Sequence, residues 1–279
     1  MHFMDLIKNL EFSAKQEFEN IMILLNNEED FSSSIIEIFD ANFIKFTQRG
    51  TFINFKQILN YIISRSSNDE ELLILLSEML LSFIKEYTII ISFENSQDQI
   101  FSFSNDAEIK LKYLEKHIYN VVDRMHHKVI KVDDDYNFII VPRENKSIQA
   151  AEIVACNDKN IAIKILEYKH FSNTVDDKEK ILISIAKYME NKRVDLSDKL
   201  NEDNLYLQRN GKNMLVEQMF EMFNKLRIRH NTDKQYIKES EREKWYDYTY
   251  NTILTVIIIE EQAKINKEFK RLKDDNRKK

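Results

Sequence analysis

Lys128-Val129-Ile130-Lys131-Val132, then Asp133-Asp134-Asp135, then Tyr136-Asn137-Phe138-Ile139-Ile140-Val141 before Pro142, is the one stretch that reads as β-structure. Two short runs rich in β-branched and aromatic residues flank three acids, which is the pattern of a hairpin. Pro142 stops the second strand because it lacks the N–H a ladder needs. A lone hairpin is marginal in water, so this one must pack on its neighbours. Those neighbours read as helix. Before it, from Ala107 to about Met125, Ile109, Leu111, Leu114, Ile118 and Val121 share one stripe, and helical spacing resumes at Ser147. The class is therefore mainly α, with strand confined to a small hairpin near residues 128–141.

Composition agrees. Two glycines and one proline in 279 residues exclude Gly-rich phosphate loops and disfavour turn-dense sandwiches or barrels. The 43% of hydrophobic residues is enough for a substantial core. Towards the N-terminus a helix is expected over residues 4–26. A second runs through Ile35, Phe39, Phe43 and Phe46, with capping hydroxyls at Ser32, Ser33 and Ser34 and Gly50 as a stop. A third covers about 52–64. A fourth begins after Asn68, with Asp69, Glu70 and Glu71 at its positive end. Leu72 to Phe93 is long enough to span a bilayer, but Glu78, Lys85 and Glu86 make it a buried amphipathic helix.

The polar run from Ser92 to Asn105 sets the expected domain boundary: an all-helical domain over 1–104 and a hairpin-containing helical domain over 105–279. In the second domain, helices are expected near 147–155, 158–170, 176–191 and 203–228, and a long one over 240–273. Ile253, Leu254, Val256, Ile257, Ile258 and Ile259 are apolar almost all round that last helix. Such a helix is central in a bundle or sits at a subunit interface, and a homodimer through the last two helices is the expected assembly.

Charge is nearly balanced overall, with 41 basic and 47 acidic side chains giving −6. Residues 1–120 carry 10 basic against 19 acidic, the remainder 31 against 28. A global hold on nucleic acid is not expected, whereas a local one in the C-terminal half is open. Cys156 is the sole cysteine, which fits a reducing cytoplasm, and the N-terminus shows no secretory pattern.

Candidate chemistry is sparse. The histidines (His2, His117, His126, His127, His170, His230) lack metal-ligand spacing, and His126-His127 mark a helix end. Asp133-Asp134-Asp135 lacks the glycine and distal glutamate of a calcium loop and reads as a turn. Neither a metal nor an organic cofactor is expected. The terminal cations Lys264, Lys267, Lys270, Arg271, Lys273, Arg277, Lys278 and Lys279 read as a solvated helix end or as contacts to RNA phosphates.

The sharpest feature is the polar joint Arg227-Ile228-Arg229-His230-Asn231-Thr232-Asp233-Lys234 between two long helices. Arginine stabilises the negative charge that builds on phosphorus during phosphodiester cleavage. Imidazole moves the proton of a ribose 2′-hydroxyl, and an amide or lysine orients the groups around it. The plainer reading is a helix C-terminal cap, with Arg227 and Arg229 on the dipole and Lys234 solvated.

The stretch Asn224-Lys225-Leu226-Arg227-Ile228-Arg229-His230-Asn231, before a final helix containing Trp245-Tyr246-Asp247, resembles bacterial abortive-infection proteins of the HEPN class, AbiJ-like ones especially. Tyr113 to Met125, the hairpin, Lys164-Ile165-Leu166-Glu167-Tyr168 and Lys178-Glu179-Lys180-Ile181-Leu182 add to the likeness, which covers about 107–275. The resemblance implies a helical bundle that dimerises, and a metal-independent endoribonuclease or RNA-binding role in antiviral defence or a toxin–antitoxin system. It assigns Arg229 the family's arginine and His230 the polar position after it. No histidine follows His230, so His230 serves directly, Lys234 takes the histidine's place, or the site is degenerate. Asn231 would orient substrate. The rival expectation is a non-enzymatic sensor, antitoxin-like or scaffold module whose acidic N-terminal domain docks a basic protein partner.

Overall fold

The computed structural model describes residues 12–27, 33–97, 105–132, 137–193, 195–196, 200, 208–209, 212–226, 228 and 237–277. The chain divides into two compact units, Met1–Pro142 and Arg143–Lys279. Both are built mainly of α-helix.

In the N-terminal unit, α1 (Ala14–Asn26), α2 (Ile35–Asn42), α3 (Phe55–Arg65) and α5 (Asn105–Arg124) gather around α4 (Asp69–Gln97). Local chemistry sets the ends. Ser34 accepts from the Glu37 N–H while the Glu37 carboxylate accepts from the Ser34 N–H, a capping box that starts α2. Asn68 accepts from the Glu71 N–H at 2.9 Å, and Glu71 reaches back to the Ser67 N–H at 2.8 Å. After α2, two short 3₁₀ turns, Phe43–Lys45 and Thr47–Arg49, lead to Gly50. Gly50 has φ +57°, a conformation that favours glycine.

Phe39, Phe43, Phe46, Phe55 and Phe83 are all buried, and Phe46 stacks on Phe83 with ring centres 4.8 Å apart. The two acids that argued against a membrane span are spent inside this unit. Glu86, buried, accepts from the Thr47 N–H at 2.6 Å, the Thr47 hydroxyl and the Gln48 N–H at 3.4 Å, so it caps a turn distant in sequence. Glu78 accepts from the Ile140 N–H at 2.6 Å. No helix among the described residues is long and apolar enough to cross a membrane.

The expected hairpin is present: β1 (His127–Lys131) pairs antiparallel with β2 (Phe138–Pro142), Val129 opposite Ile140. Asp133, Asp134 and Asp135 lie outside the described residues. His126 takes φ +56° and ends α5, matching its reading as a helix-end marker. The compact units part at Pro142 and Arg143 rather than after residue 104. The reason is packing: α5 lies on α4, and β2 is tied to α4 through Glu78. Nor is 92–97 irregular. These residues extend α4, the Ser92 hydroxyl donating to the Thr88 carbonyl at 2.7 Å.

The C-terminal unit holds α6 (Asn145–Ala155), α7 (Lys159–Glu167), α8 (Val175–Glu190), α9 (Met214–Lys225) and α10 (Arg242–Arg277). Thr174 and Asp177 form a capping box on α8, and Asp158 caps α7. The α10 helix packs on α6, α8 and α9. Its Ile253, Leu254, Val256 and Ile257 are fully buried in the unit's own core. The apolar run therefore marks a central helix, and burying it needs no second copy.

Two further findings differ from the sequence reading. Strand is not confined to 128–141, because Gln208–Arg209 (β3) pairs with Lys212–Asn213 (β4). The helix expected over 203–228 is accordingly shorter. Buried Asn213 caps α9 by accepting from the N–H groups of Leu215 and Val216, which fixes its start at Met214.

Candidate functional site at the head of the last helix

Arg229, His230, Asn231 and Lys234 all lie outside the described residues, as does Arg227. The residues that bound their segment are described. Leu226, where α9 stops, and Ile237, shortly before α10, line one cavity of about 190 Å³ together with Lys225, Glu179, Glu239, Arg242 and Tyr246.

Arg242 organises the wall. Its position at the first turn of α10 brings the guanidinium over α8, where Asp176 and Glu179 stand one turn apart. One nitrogen meets Asp176 at 2.9 Å and Glu179 at 2.6 Å. Another donates to Glu239, and Nε donates to the Tyr246 hydroxyl at 3.3 Å. The side chain is only 16% exposed. The Tyr246 hydroxyl and the Glu239 carboxylate hold the guanidinium charged, above its ordinary range, and burial pushes the Tyr246 phenol up.

A second cluster lies further along α10. Tyr168, at the end of α7, donates to Asp247 at 2.9 Å and stacks on Tyr250 with centres 4.0 Å apart. Lys178 of α8 reaches Glu243 at 2.6 Å and Asp247 at 3.4 Å, with its ammonium 5.6 Å from the Tyr168 ring centre. The Tyr250 hydroxyl donates to the Ile165 carbonyl at 2.7 Å and lies 3.0 Å from the Ser147 hydroxyl, which is itself bonded to Glu144. Burial, then the neighbouring Asp247, raises the Tyr168 phenol; burial also raises that of Tyr250.

The blocks 164–168, 178–182 and 245–247, far apart in sequence, thus meet along one face of α10. Periodicity could not single out Arg242, Asp176, Glu179, Tyr168 or Lys178. The only local hint was the i, i+3 pair Asp176 and Glu179.

Chemically, this wall is a clamp. Each described cation in it already faces a carboxylate: Arg242 as above, and Lys225 through Glu221 at 2.6 Å. Among the described residues, the cavity wall therefore presents no cation without a carboxylate beside it. Among the described residues, no group of three or more His, Cys, Asp or Glu side chains is placed to hold a metal ion. Comparison with known proteins returns no matching family model, no similar curated sequence and no similar solved structure.

Proposed function

We propose that the C-terminal unit is a HEPN-like module of a cytoplasmic abortive-infection effector that binds and cleaves RNA. The observation carrying the reading is that both ends of the Arg229-His230-Asn231 segment, Leu226 and Ile237, line one cavity at the head of the last long helix. Arg229 stabilises the charge on the pentacoordinate phosphorus. His230 takes the 2′-hydroxyl proton as that oxygen bonds to phosphorus and the 5′-oxygen leaves, picking up a proton. The products are a 2′,3′-cyclic phosphate and a 5′-hydroxyl, and the nucleophile comes from the substrate. Asn231 orients the ribose, and Lys234 adds a second cation or stands in the missing histidine's place.

Labelled RNA incubated with the protein in EDTA tests this. Cleavage leaving cyclic-phosphate ends supports it, and Arg229→Ala should then lower the rate roughly a hundredfold or more. The variant's stability should change by no more than about 1 kcal/mol. A variant that unfolds, or that stays fully active, makes the joint structural.

A second reading, a non-enzymatic sensor or antitoxin-like interaction module, is favoured by the carboxylates of Glu179 and Glu239 in the same cavity. They repel phosphate, and Arg242 is already committed to both. Inert RNA together with a retained protein partner would select this reading.

A further inference from the structure

Within the N-terminal unit, Leu75, Glu78 and Met79 of α4, Tyr61 of α3, Phe52 just before α3 and Phe138 at the start of β2 line one cavity of about 230 Å³. Its walls are mainly apolar, yet Phe52, Tyr61 and Phe138 reach it from three separate segments and stay partly open to solvent. The Phe52 and Tyr61 rings touch, with centres 5.2 Å apart. Walls of partly exposed rings suit a flat π-system, which gains by stacking on them.

The polar groups on the α4 wall are acceptors. The Glu78 carboxylate takes the Ile140 N–H at 2.6 Å, which orients it, and an ionised carboxylate keeps further acceptor sites. The Ser82 hydroxyl, on the same wall, donates its proton to the Glu78 carbonyl at 2.9 Å and so offers only its lone pairs. A flat ligand must therefore bring donors. Guanine alone among the RNA bases carries two adjacent N–H donors, N1 and N2, on its pairing edge. Adenine and cytosine set a ring-nitrogen acceptor beside their amino group, and uracil holds its one N–H between two carbonyls. Guanine O6 needs a donor in turn, and the Gln48 side-chain amide also lines the cavity. The flanking charge suits a phosphate. Arg65, one turn after Tyr61, holds its guanidinium 5.3 Å from that ring centre and makes no ion pair among the described residues. Arg49 gives its N–H groups to the Ile44, Gly50 and Phe52 carbonyls rather than to a carboxylate, whereas Glu71, one turn before Leu75, accepts from the Ser67 N–H. A simple organic cation would also meet Glu78 and the rings, but with both arginines against it.

We propose that this cavity binds a guanine nucleotide. The base lies against the Phe52, Tyr61 and Phe138 rings, its N1–H and N2–H donate to Glu78, and its phosphate meets Arg65. The site belongs to the N-terminal unit and does not depend on the RNA-cleavage reading of the C-terminal one.

Isothermal titration of the full chain with GMP tests it, with circular dichroism reporting the fold. GMP should bind with a dissociation constant below about 100 µM, and AMP, CMP, UMP and choline at least about tenfold more weakly. Tyr61→Leu, at a position 46% exposed, should weaken GMP binding roughly tenfold. Arg65→Ala should weaken GMP roughly fivefold and leave guanosine unchanged. Glu78→Gln should abolish the preference for GMP over AMP, because an amide pairs with adenine as well. Should that variant disturb the hairpin, the Tyr61 and Arg65 variants still decide. Tighter binding of the dinucleotide UpG than of GMP assigns the guanosine to RNA and weaker binding to a free nucleotide, and either upholds the site. Absence of saturable GMP binding below about 1 mM overturns the proposal. So does AMP or choline binding equal to that of GMP, or full GMP affinity in folded Tyr61→Leu and Arg65→Ala proteins.

Discussion

Tyr250→Phe isolates one atom of the C-terminal core. The ring is fully buried and remains in the variant, stacked on Tyr168. What is lost is a hydroxyl that donates to the Ile165 carbonyl, in the last turn of α7, and contacts the Ser147 hydroxyl. A helix-end carbonyl in the core has few other donors, so it stays unsatisfied and costs about 1–3 kcal/mol. For a unit of this size that is about 3–4 °C of Tm per kcal/mol. The assay is urea unfolding followed by the chain's single tryptophan, Trp245, which sits on α10 against Tyr248. The midpoint should fall at unchanged m-value.

The same variant has an alkaline signature. Burial raises the folded phenol of Tyr250, while an unfolded tyrosine ionises near pH ~10. Above that pH the unfolded chain holds fewer protons than the folded one, so wild-type stability falls as pH rises. The variant lacks this contribution, and the gap between the two proteins should narrow above pH about 10. A variant within about 0.5 kcal/mol of wild type at pH 7, where a hydroxyl bonded as described must count, would refute the reasoning.

Two further substitutions probe the clamps. Arg242→Ala removes the cation from Asp176, Glu179 and Glu239 and should destabilise the C-terminal unit by about 2 kcal/mol. Arg242→Lys should recover only part of this, because an ammonium lacks the planar fork; full rescue in the same urea titration would contradict it. Glu86→Gln turns one acceptor into a donor beneath the Thr47 and Gln48 N–H groups, at a cost of about 1–3 kcal/mol. Faster hydrogen exchange at those two amides is the check, and unchanged protection would remove Glu86 as the cap.

What was legible in the sequence was local. Ser34 capping α2, the start of α4 after Asn68, the hairpin and its Pro142 end all depend on residues within a few positions of one another, whereas α2 stops at Asn42, well before the Gly50 expected to end it. The misses share another cause. Ser92 looked like a loop residue, yet its hydroxyl bonds back to the Thr88 carbonyl inside the helix, which satisfies it without ending α4. The division at Pro142 follows from α5 and β2 lying on α4, a packing choice that no run of polar residues announces. Arg242 meets partners on α8 that lie far back in the chain. A cation surrounded by such distant acids has no period and no motif.

The two functional readings also weigh differently once side chains are placed. The excess of acid over residues 1–120 suggested a surface for a basic partner, but some of that acid faces inward. Glu17 is buried against Arg124, and Glu86 is buried under Thr47. The net count therefore overstates the charge the N-terminal unit presents to a partner. The same correction applies to the basic half. Lys178 and Arg242 are held by carboxylates, and Lys146 donates to the Asn251 carbonyl and the Thr255 hydroxyl on α10. Removing these internal cations lowers the positive charge that the C-terminal half presents, and Arg227, Arg229, Lys234 and the end of α10 are among the basic residues that remain. The proposed RNA site draws on the first three of them. That makes the response of RNA binding to Arg229→Ala, set beside that of Arg242→Ala, the comparison that separates an RNA site from a structural clamp.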